Sequence, residues 1–221
     1  TFTLNHAFAD SGEYLVTVTI VDRAGAMGAA TLAVFVQNVA ASIDAGPDQT
    51  ANEGDTVTVA ATFQDPGTTD THAAVIDWGD GSPIQSVSLT EAAGSGMLAA
   101  SHVYADNGAY TVTVTVTDDG GAAGSDTLNV TVGNLPPVLD AGPDREVNEG
   151  QTITIAAGFS DPGIADTHVA TINWGDGSAP ETAQVRGSLG AWSASARHRY
   201  LDDGVFVVTV SVVDDDGASD S

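Results

Sequence analysis

The sequence contains no cysteine and no lysine, and its five basic residues are all arginines. Without cysteine the protein forms no disulfide bonds, performs no thiolate chemistry and builds no zinc site on cysteine ligands. Thirty aspartates and glutamates give a formal net charge of -25. A field this negative repels nucleic acids and anionic membrane surfaces, so we expect neither as a partner.

Long apolar runs are also missing. No stretch reaches the roughly 18 apolar residues that a membrane-spanning helix needs, and the N-terminus does not resemble a signal peptide. Hydrophobic residues nevertheless make up 42% of the chain, which excludes a disordered acidic tail. The chain begins and ends within patterned sequence, so we expect it to be a window of a longer protein.

A period of 96 residues organises the sequence. The segment His102–Tyr110 recurs 96 residues later as His198–Phe206 and 96 residues earlier as His6–Tyr14. A gap-free comparison of residues 40–125 with 136–221 gives 41 identities in 86 positions, which chance does not produce.

The period predicts three modules, which we call repeats 1, 2 and 3. Repeat 1 (1–39) is the C-terminal part of a first module. Repeat 2 (40–135) is a complete module. Repeat 3 (136–221) is a third module that lacks its last strand.

The hydrophobic pattern has a period of two. Thr56–Phe63 and Tyr110–Thr117 alternate apolar and polar residues, which places one face of a sheet in a core and the other in water. Strands are predicted near 42–50, 56–63, 73–78, 84–91, 97–104, 110–117 and 126–133, with no helix. Seven short strands in such a module predict an all-β fold of tandem immunoglobulin-like seven-stranded β-sandwiches in a linear array.

Three motifs follow one another in repeat 2. They are Trp78-Gly-Asp-Gly81, His102-x-Tyr104 and Gly108-x-Tyr110 followed by alternating valines up to Asp118. Together they resemble the PKD (polycystic kidney disease) domain, of the kind found in tandem in large secreted bacterial surface proteins. The resemblance implies an extracellular sandwich that serves as a spacer, adhesion or accessory module, without catalysis. It also implies that the loop beginning at Asp65 is the one where some family members bind calcium.

Acidic loops carry the most specific functional signal. Repeat 2 holds thirteen acidic residues and no lysine or arginine. If its strands alternate up and down, the linker, the Asp65–Asp70 loop and the turn at Asp118 lie at one pole. Glu53, Asp80 and Asp106 then lie at the opposite pole. Modules joined head to tail would press one pole of each module against the opposite pole of the next, so we expect acidic residues to gather at the junctions.

Calcium would relieve the repulsion at such a junction. Two carboxylates about 6 Å apart repel by roughly 3 kcal/mol at an effective dielectric constant near 20, and calcium accepts six to eight oxygen ligands in loose geometry. The predicted ligands are Asn38, Asp65, Asp70, Asp118, Asn134, Asp161, Asp166 and Asp214. A solvated acidic surface with a cloud of monovalent ions is the alternative that stays open.

Trp192 is the one candidate residue for binding a sugar or a partner protein, and local packing is its alternative. The histidines lack a nucleophile in register with an acid, so we do not expect an enzyme. The preferred function is a structural or adhesive array, the stalk or spacer of a large cell-surface or secreted protein. The alternative is an accessory polysaccharide- or protein-binding module of a secreted hydrolase. The expected partners are neighbouring modules, other copies of the chain side by side, and an extracellular polymer or cell surface.

Overall fold

A computed structural model describes residues 3–221. Every regular secondary-structure element of these residues is a β-strand, which confirms the all-β prediction. Residues 3–221 contain no helix that could serve as a membrane span. The described residues form two compact units. The first contains the chain up to Gln49, Thr58–His102 and Tyr110–Val130, and the second contains Thr50–Val57, Val103–Ala109 and Thr131–Ser221.

Repeat 1 forms an antiparallel hairpin of β1 (Gly12–Val21) and β2 (Met27–Val36), which pair from Gly12 with Val36 to Val21 with Met27. The Asp22 carboxylate closes the turn by accepting hydrogen bonds from the amides of Ala24 (2.8 Å) and Ala26 (2.9 Å). An aspartate in this role suits a turn because its side chain satisfies backbone donors that the strands leave unpaired.

Repeat 2 forms two sheets with strand orders β3-β5-β9-β8 and β4-β11-β10-β6-β7. Its nine strands are β3 (Ser42–Asp44), β4 (Gln49–Asn52), β5 (Thr56–Gln64), β6 (His72–Asp77), β7 (Gln85–Val87), β8 (Leu89–Ala92), β9 (Ser95–Val103), β10 (Gly108–Asp118) and β11 (Ala123–Gly133).

Two of the seven predicted strands of repeat 2 are each divided between the two sheets. The segment 42–50 is β3 and β4, and the segment 84–91 is β7 and β8. Gly46 (φ +89°) and Pro47 separate β3 from β4, because a left-handed glycine followed by a residue without an amide proton ends regular pairing. The prediction of seven unbroken strands is therefore wrong at these two places.

Alternation sorts the side chains of β5 as the sequence indicates. Val57, Val59, Ala61 and Phe63 are buried, whereas the residues between them are exposed. Trp78 is also buried, directly after β6. Burying such side chains removes apolar surface from water, at about 25 cal/mol per Å².

Repeat 3 forms two further sheets with strand orders β12-β13-β17-β16 and β15-β14-β18-β19. Trp174 lies in its core, where its carbonyl accepts a 3.0 Å hydrogen bond from the Tyr200 hydroxyl. The strands are β12 (Val138–Asp140), β13 (Thr152–Ser160), β14 (His168–Asn173), β15 (Glu181–Thr182), β16 (Gln184–Ser188), β17 (Ala191–Arg199), β18 (Thr209–Asp214) and β19 (Ser219–Asp220).

The last strand of repeat 3 is not wholly missing. β19 pairs with β18 through Val213 with Ser219 and Val212 with Asp220. Ser219 corresponds to Ala123, the first residue of β11 in repeat 2. β19 and β11 therefore begin at equivalent positions of their repeats.

Candidate functional site: two buried acidic clusters

The loop Asp-Pro-Gly-x-x-Asp occurs once in each compact unit and folds the same way in both. In the first unit the Asp65 Oδ1 accepts a 2.7 Å hydrogen bond from the Gly67 amide, and the Asp70 amide donates to the Gly67 carbonyl at 3.2 Å. Equivalent bonds form at Asp161 and Asp166 in the second unit. The loop therefore fixes two carboxylates close together.

A glycine in this loop makes room for the second carboxylate. A Cβ atom added to Gly163 would lie 2.5–2.7 Å from the carboxylate atoms of Asp166, and one added to Gly67 would overlap the carboxylate of Asp70. Neither glycine has a positive φ. Glycine is thus needed here for the close approach of a side chain, not for its backbone conformation.

An asparagine from each linker is bonded to a turn aspartate 80 residues away. Asn38 Nδ2 donates to Asp118 Oδ1 at 3.0 Å, and Asn134 Nδ2 donates to Asp214 Oδ2 at 3.1 Å. The same turn aspartates cap their own turns by accepting from the amides four residues further on, at 2.8 Å. These bonds hold each linker beside the aspartate-capped turn of the same unit.

The first acidic cluster consists of Asp65, Asp70 and Asp118 in the first unit. One carboxylate oxygen from each lies within 4.8 Å of the others. The three residues are between 5% and 9% exposed. Asp70 Oδ1 and Asp118 Oδ2 are buried without a hydrogen-bond partner in residues 3–221. Three of the predicted ligands are therefore brought together here, and Asn38, bonded to Asp118, is the fourth.

The second acidic cluster consists of Glu53, Asp161 and Asp166 in the second unit, again with one oxygen of each within 4.8 Å of the others. These residues are only 1–4% exposed. Glu53 Oε1 accepts a 2.6 Å hydrogen bond from the Leu135 amide. Glu53 Oε2, Asn134 Oδ1 and both oxygens of Asp166 are buried without a partner in the described chain.

Glu53 was expected near this junction but was missing from the predicted ligand set. Its signal in the sequence is the turn Asn52-Glu53-Gly54, which returns as Asn148-Glu149-Gly150. The backbone of Glu53 is held by a 3.0 Å bond from its amide to the Gly133 carbonyl. Asp80 was also expected at this junction, and its carboxylate binds His102 in the first unit at 2.6 Å.

Open space adjoins both clusters. A groove of about 710 Å³ in the second unit is lined by Glu53 and Asp161 together with apolar residues that include Ile164 and Leu189. A smaller pocket of about 70 Å³ in the first unit is lined by residues that include Asn38 and Asp70. Each cluster therefore contains at least one residue that lines an opening within its own unit.

The electrostatics of the second acidic cluster are unfavourable for free carboxylates. Burial, followed by repulsion from Glu53 and Asp161, raises the pKa of Asp166 to about 7. Burial also raises the pKa of Glu53, although the bond from Leu135 opposes the change. A carboxyl group with a raised pKa is one whose charged form lacks sufficient compensation.

Hydrogen bonds compensate part of the negative charge of the first acidic cluster. Burial and the neighbouring Asp10 and Asp65 raise the pKa of Asp70. Burial acts in the same direction on Asp118, but the hydrogen bond from Asn38 and those from the turn amides outweigh it and lower the pKa of Asp118. The charged form is thus disfavoured at Asp70 and favoured at Asp118.

A buried histidine orients one carboxylate in each cluster. His168 Nε2 lies 2.8 Å from Asp161 Oδ2, and its Nδ1 has no partner in residues 3–221. His72 lies between two carboxylates, with Nε2 3.3 Å from Asp65 Oδ2 and Nδ1 2.7 Å from Glu91 Oε2. Burial alone would lower the pKa of His72, but the bonds to Asp65 and Glu91 raise it.

Trp192 packs within repeat 3. Its ring stacks on Phe159 with centroids 6.4 Å apart and lies 5.1 Å from the His168 ring. Its Nε1 is buried without a partner among the described residues. Repeat 2 has Gly96 at this position, and a Cβ there would meet the Phe63 ring. A binding role for Trp192 stays a prediction, and local packing is what its contacts provide.

The two clusters offer chemistry of one kind, which is hard oxygen donors in a buried site. Calcium prefers carboxylate and carbonyl oxygens, whereas zinc sites use histidine nitrogen and cysteine sulfur. Buried carboxylate oxygens are normally hydrogen-bonded, so the unpartnered oxygens of Asp70, Asp118, Glu53 and Asp166 fit a cation that would bind them.

Comparisons with known proteins agree with the motifs. The sequence profile of the PKD domain matches residues 38–132 and 134–221 and confirms the resemblance. The dyslexia-associated protein KIAA0319-like protein of Mus musculus is 27% identical over 211 residues, which cover 92% of this chain and 19% of that protein. The chain thus spans about a fifth of the length of this relative.

Similar solved structures include a titin fragment and an adhesin. The titin fragment is 16% identical, with a TM-score of 0.44 and coverage of 82% of this chain and 95% of its own. The Yersinia pseudotuberculosis adhesin InvE is 18% identical, with a TM-score of 0.40 and coverage of 81% and 56%.

Proposed function

Because the chain belongs to the PKD domain family, we propose that it is a non-catalytic extracellular array with a structural or adhesive role. It would serve as a stalk or spacer of a large cell-surface or secreted protein, with calcium bound at its two acidic clusters. Within the chain, each module has the neighbouring modules as partners. Outside the chain, the partner is a cell surface or an extracellular polymer.

The buried, unpartnered carboxylate oxygens support the calcium part of this proposal. An unpaired buried carboxylate costs several kcal/mol, and folding tolerates it only where something compensates the charge. No lysine exists in the chain, and the carboxylates of the two clusters pair with the histidines His72 and His168. A divalent cation is therefore the compensating charge that suits these sites.

Calcium suits the clusters better than magnesium. Magnesium requires near-octahedral coordination at about 2.0–2.1 Å and keeps several waters, whereas calcium accepts six to eight oxygens in irregular geometry. Asn38 ties its linker to Asp118 of the first acidic cluster, and the amide of Leu135 in the second linker donates to Glu53 of the second, so a cation bound at either cluster also fixes a linker. Binding would stiffen the chain at these points, as a spacer requires.

A melting experiment tests this function. Differential scanning calorimetry of the chain in EDTA, in millimolar calcium and in sodium chloride of equal ionic strength compares specific binding with screening. Free calcium at a hundred times its dissociation constant adds about 2.7 kcal/mol to the unfolding free energy. We expect the midpoint to rise in calcium well above its value in sodium chloride.

Matched variants make this experiment specific. Asp70→Asn and Asp166→Asn remove one charge from each cluster and should reduce the calcium-dependent rise. Asp203→Asn changes an exposed carboxylate in another acidic group, Glu149, Asp202 and Asp203, and should leave the rise unchanged. Equal midpoints in calcium and in sodium chloride would contradict the proposal and favour the ion cloud.

A further inference from the structure

Asp166 belongs to two groups of carboxylates at once. One is the second acidic cluster. The other joins Asp166 to Asp106 and Asp216, with one oxygen from each residue within 4.8 Å of the others. Both groups lie in the second compact unit. A single aspartate therefore connects two sets of oxygen donors.

The carboxylate of Asp166 has two oxygens available for ligands. The residue is 4% exposed, and both Oδ1 and Oδ2 are buried without a hydrogen-bond partner in residues 3–221. A carboxylate accepts through both oxygens, so it can bind a different cation with each. Glu53 Oε2, also buried and unpartnered, supplies a further free ligand on one side of Asp166.

We propose that the second unit binds two divalent cations that share the Asp166 carboxylate as a bridge. Glu53 and Asp161 complete the ligands of the inner cation, and Asp106 and Asp216 complete those of the outer cation. The inference rests on the proposed function, since it assumes that calcium occupies the second acidic cluster. It adds a second ion, new ligands and a stoichiometry.

Charge supports two ions over one. Five carboxylates from the two groups carry a formal charge of -5 when ionised, and one calcium ion leaves -3. Two calcium ions leave -1. Because neighbouring carboxylates at an effective dielectric constant near 20 repel by several kcal/mol in total, the second ion removes repulsion that the first leaves in place.

Backbone contacts fix the outer ligands beside the loop. The Ala165 amide donates a 3.1 Å hydrogen bond to the Ala105 carbonyl, so Asp106 is held next to the Asp161–Asp166 loop. Asp216 lies in the turn that Asp214 caps through the Ala218 amide. Asp106 and Asp216 are exposed whereas Asp166 is buried, so the outer cation is the more accessible one.

The first acidic cluster is a built-in comparison. Asp10 and Asp70 correspond to Asp106 and Asp166, but Gly120 stands where repeat 3 has Asp216. A Cβ at Gly120 would overlap the Asn38 amide nitrogen. The first unit thus lacks the third ligand of an outer site, and we expect one cation there and three in the whole chain.

Counting bound calcium on the full chain tests this inference. Native mass spectrometry and isothermal titration calorimetry should give three ions for the unmodified chain. Asp216→Gly, which installs the residue of repeat 2, should give two. Asp166→Asn removes the bridge and should give one or two, with the loss confined to the second unit. Asp203→Asn should retain three.

A distance measurement guards against a variant that simply misfolds. Two metal ions bridged by one carboxylate lie roughly 4 Å apart, so europium luminescence should be quenched by neodymium in the unmodified chain. Asp216→Gly should abolish this quenching while its europium emission and circular dichroism persist.

The outcomes separate the two proposals. Two ions in both the unmodified chain and Asp216→Gly, without quenching, would overturn the two-cation site and leave calcium binding intact. No bound calcium in any protein would overturn the proposed function itself. Three ions that persist in Asp216→Gly would place the third ion elsewhere and also overturn the inference.

Discussion

Asn134 Nδ2 and Asp214 Oδ2 are hydrogen-bonded at 3.1 Å across 80 residues of chain. Asn38 and Asp118 repeat the contact in the first unit at 3.0 Å. In both places a linker amide meets the aspartate that caps a turn beside an acidic cluster. The linker is therefore positioned by the same carboxylates that are candidates for binding a cation.

Asn134→Ala should destabilise the second unit. The substitution leaves the buried Asp214 carboxylate short of a donor, and hydrogen bonds to charged groups contribute about 1.5–3 kcal/mol. Chemical denaturation in EDTA measures the loss. Gln37→Ala, at an exposed linker position, serves as the control and should change the unfolding free energy by less than about 0.5 kcal/mol. Equal stability of the two variants would contradict a role for this contact.

Stability without calcium should fall as pH rises, because the pKa of Asp166 is raised from 3.8 to about 7. The native state keeps a proton that the unfolded state releases, so this stabilising contribution is complete below about pH 3.8 and is lost through about pH 7. Its size is up to about 4 kcal/mol. Denaturation in EDTA across this range measures it.

Asp166→Asn is the matched control for the pH experiment. An amide does not titrate, so the variant should lose most of the decline between these pH values. The gain from calcium should have the opposite trend in the unmodified protein, growing with pH, since calcium binds the deprotonated carboxylate. A decline that persists in Asp166→Asn would show that another group causes it.

Gly163→Ala should weaken calcium binding at the second acidic cluster. The added Cβ would lie 2.5–2.7 Å from the Asp166 carboxylate and must displace it. Mutations of residues that position metal ligands typically cost 10–100-fold in metal affinity, which calorimetric titration measures. Gly158→Ala is the control, because a Cβ there meets nothing within 4 Å. Unchanged affinity in Gly163→Ala would contradict the role assigned to Asp166.

Trp192→Ala should destabilise repeat 3 by about 3 kcal/mol, because the ring covers Phe159 and His168. Met97→Ala removes a side chain that is 61% exposed and should have little effect. Denaturation of both variants compares them. A small change for Trp192→Ala would instead favour the predicted binding role of this tryptophan.

The sequence was sufficient where a local pattern determines the structure. Alternating valines and threonines in β5 and β10 reveal their buried face, because solvent sorts neighbouring side chains by polarity. The division of 42–50 between two sheets was missed, since both halves are extended and differ only in the strand that each pairs with. Local pattern does not report pairing partners.

The residues of the candidate site also fall into those that local spacing reveals and those that meet only in the folded chain. Asp65 and Asp70 share one loop, and Asp161 and Asp166 share another, so each pair was found from spacing. Glu53 meets Asp161 across more than a hundred residues and was left out of the predicted ligand set. The contact of Asp80 with His102, 22 residues away, was likewise not indicated by local spacing.

A crystal structure of the chain grown in calcium chloride, with anomalous diffraction recorded, tests the central claim most directly. The account predicts anomalous peaks at both acidic clusters, each with six to eight oxygens at about 2.3–2.6 Å. Those oxygens should include Asp70 in the first unit and Asp166 in the second. Carboxylates that contact only water, with no anomalous peak at either cluster in saturating calcium, would contradict it.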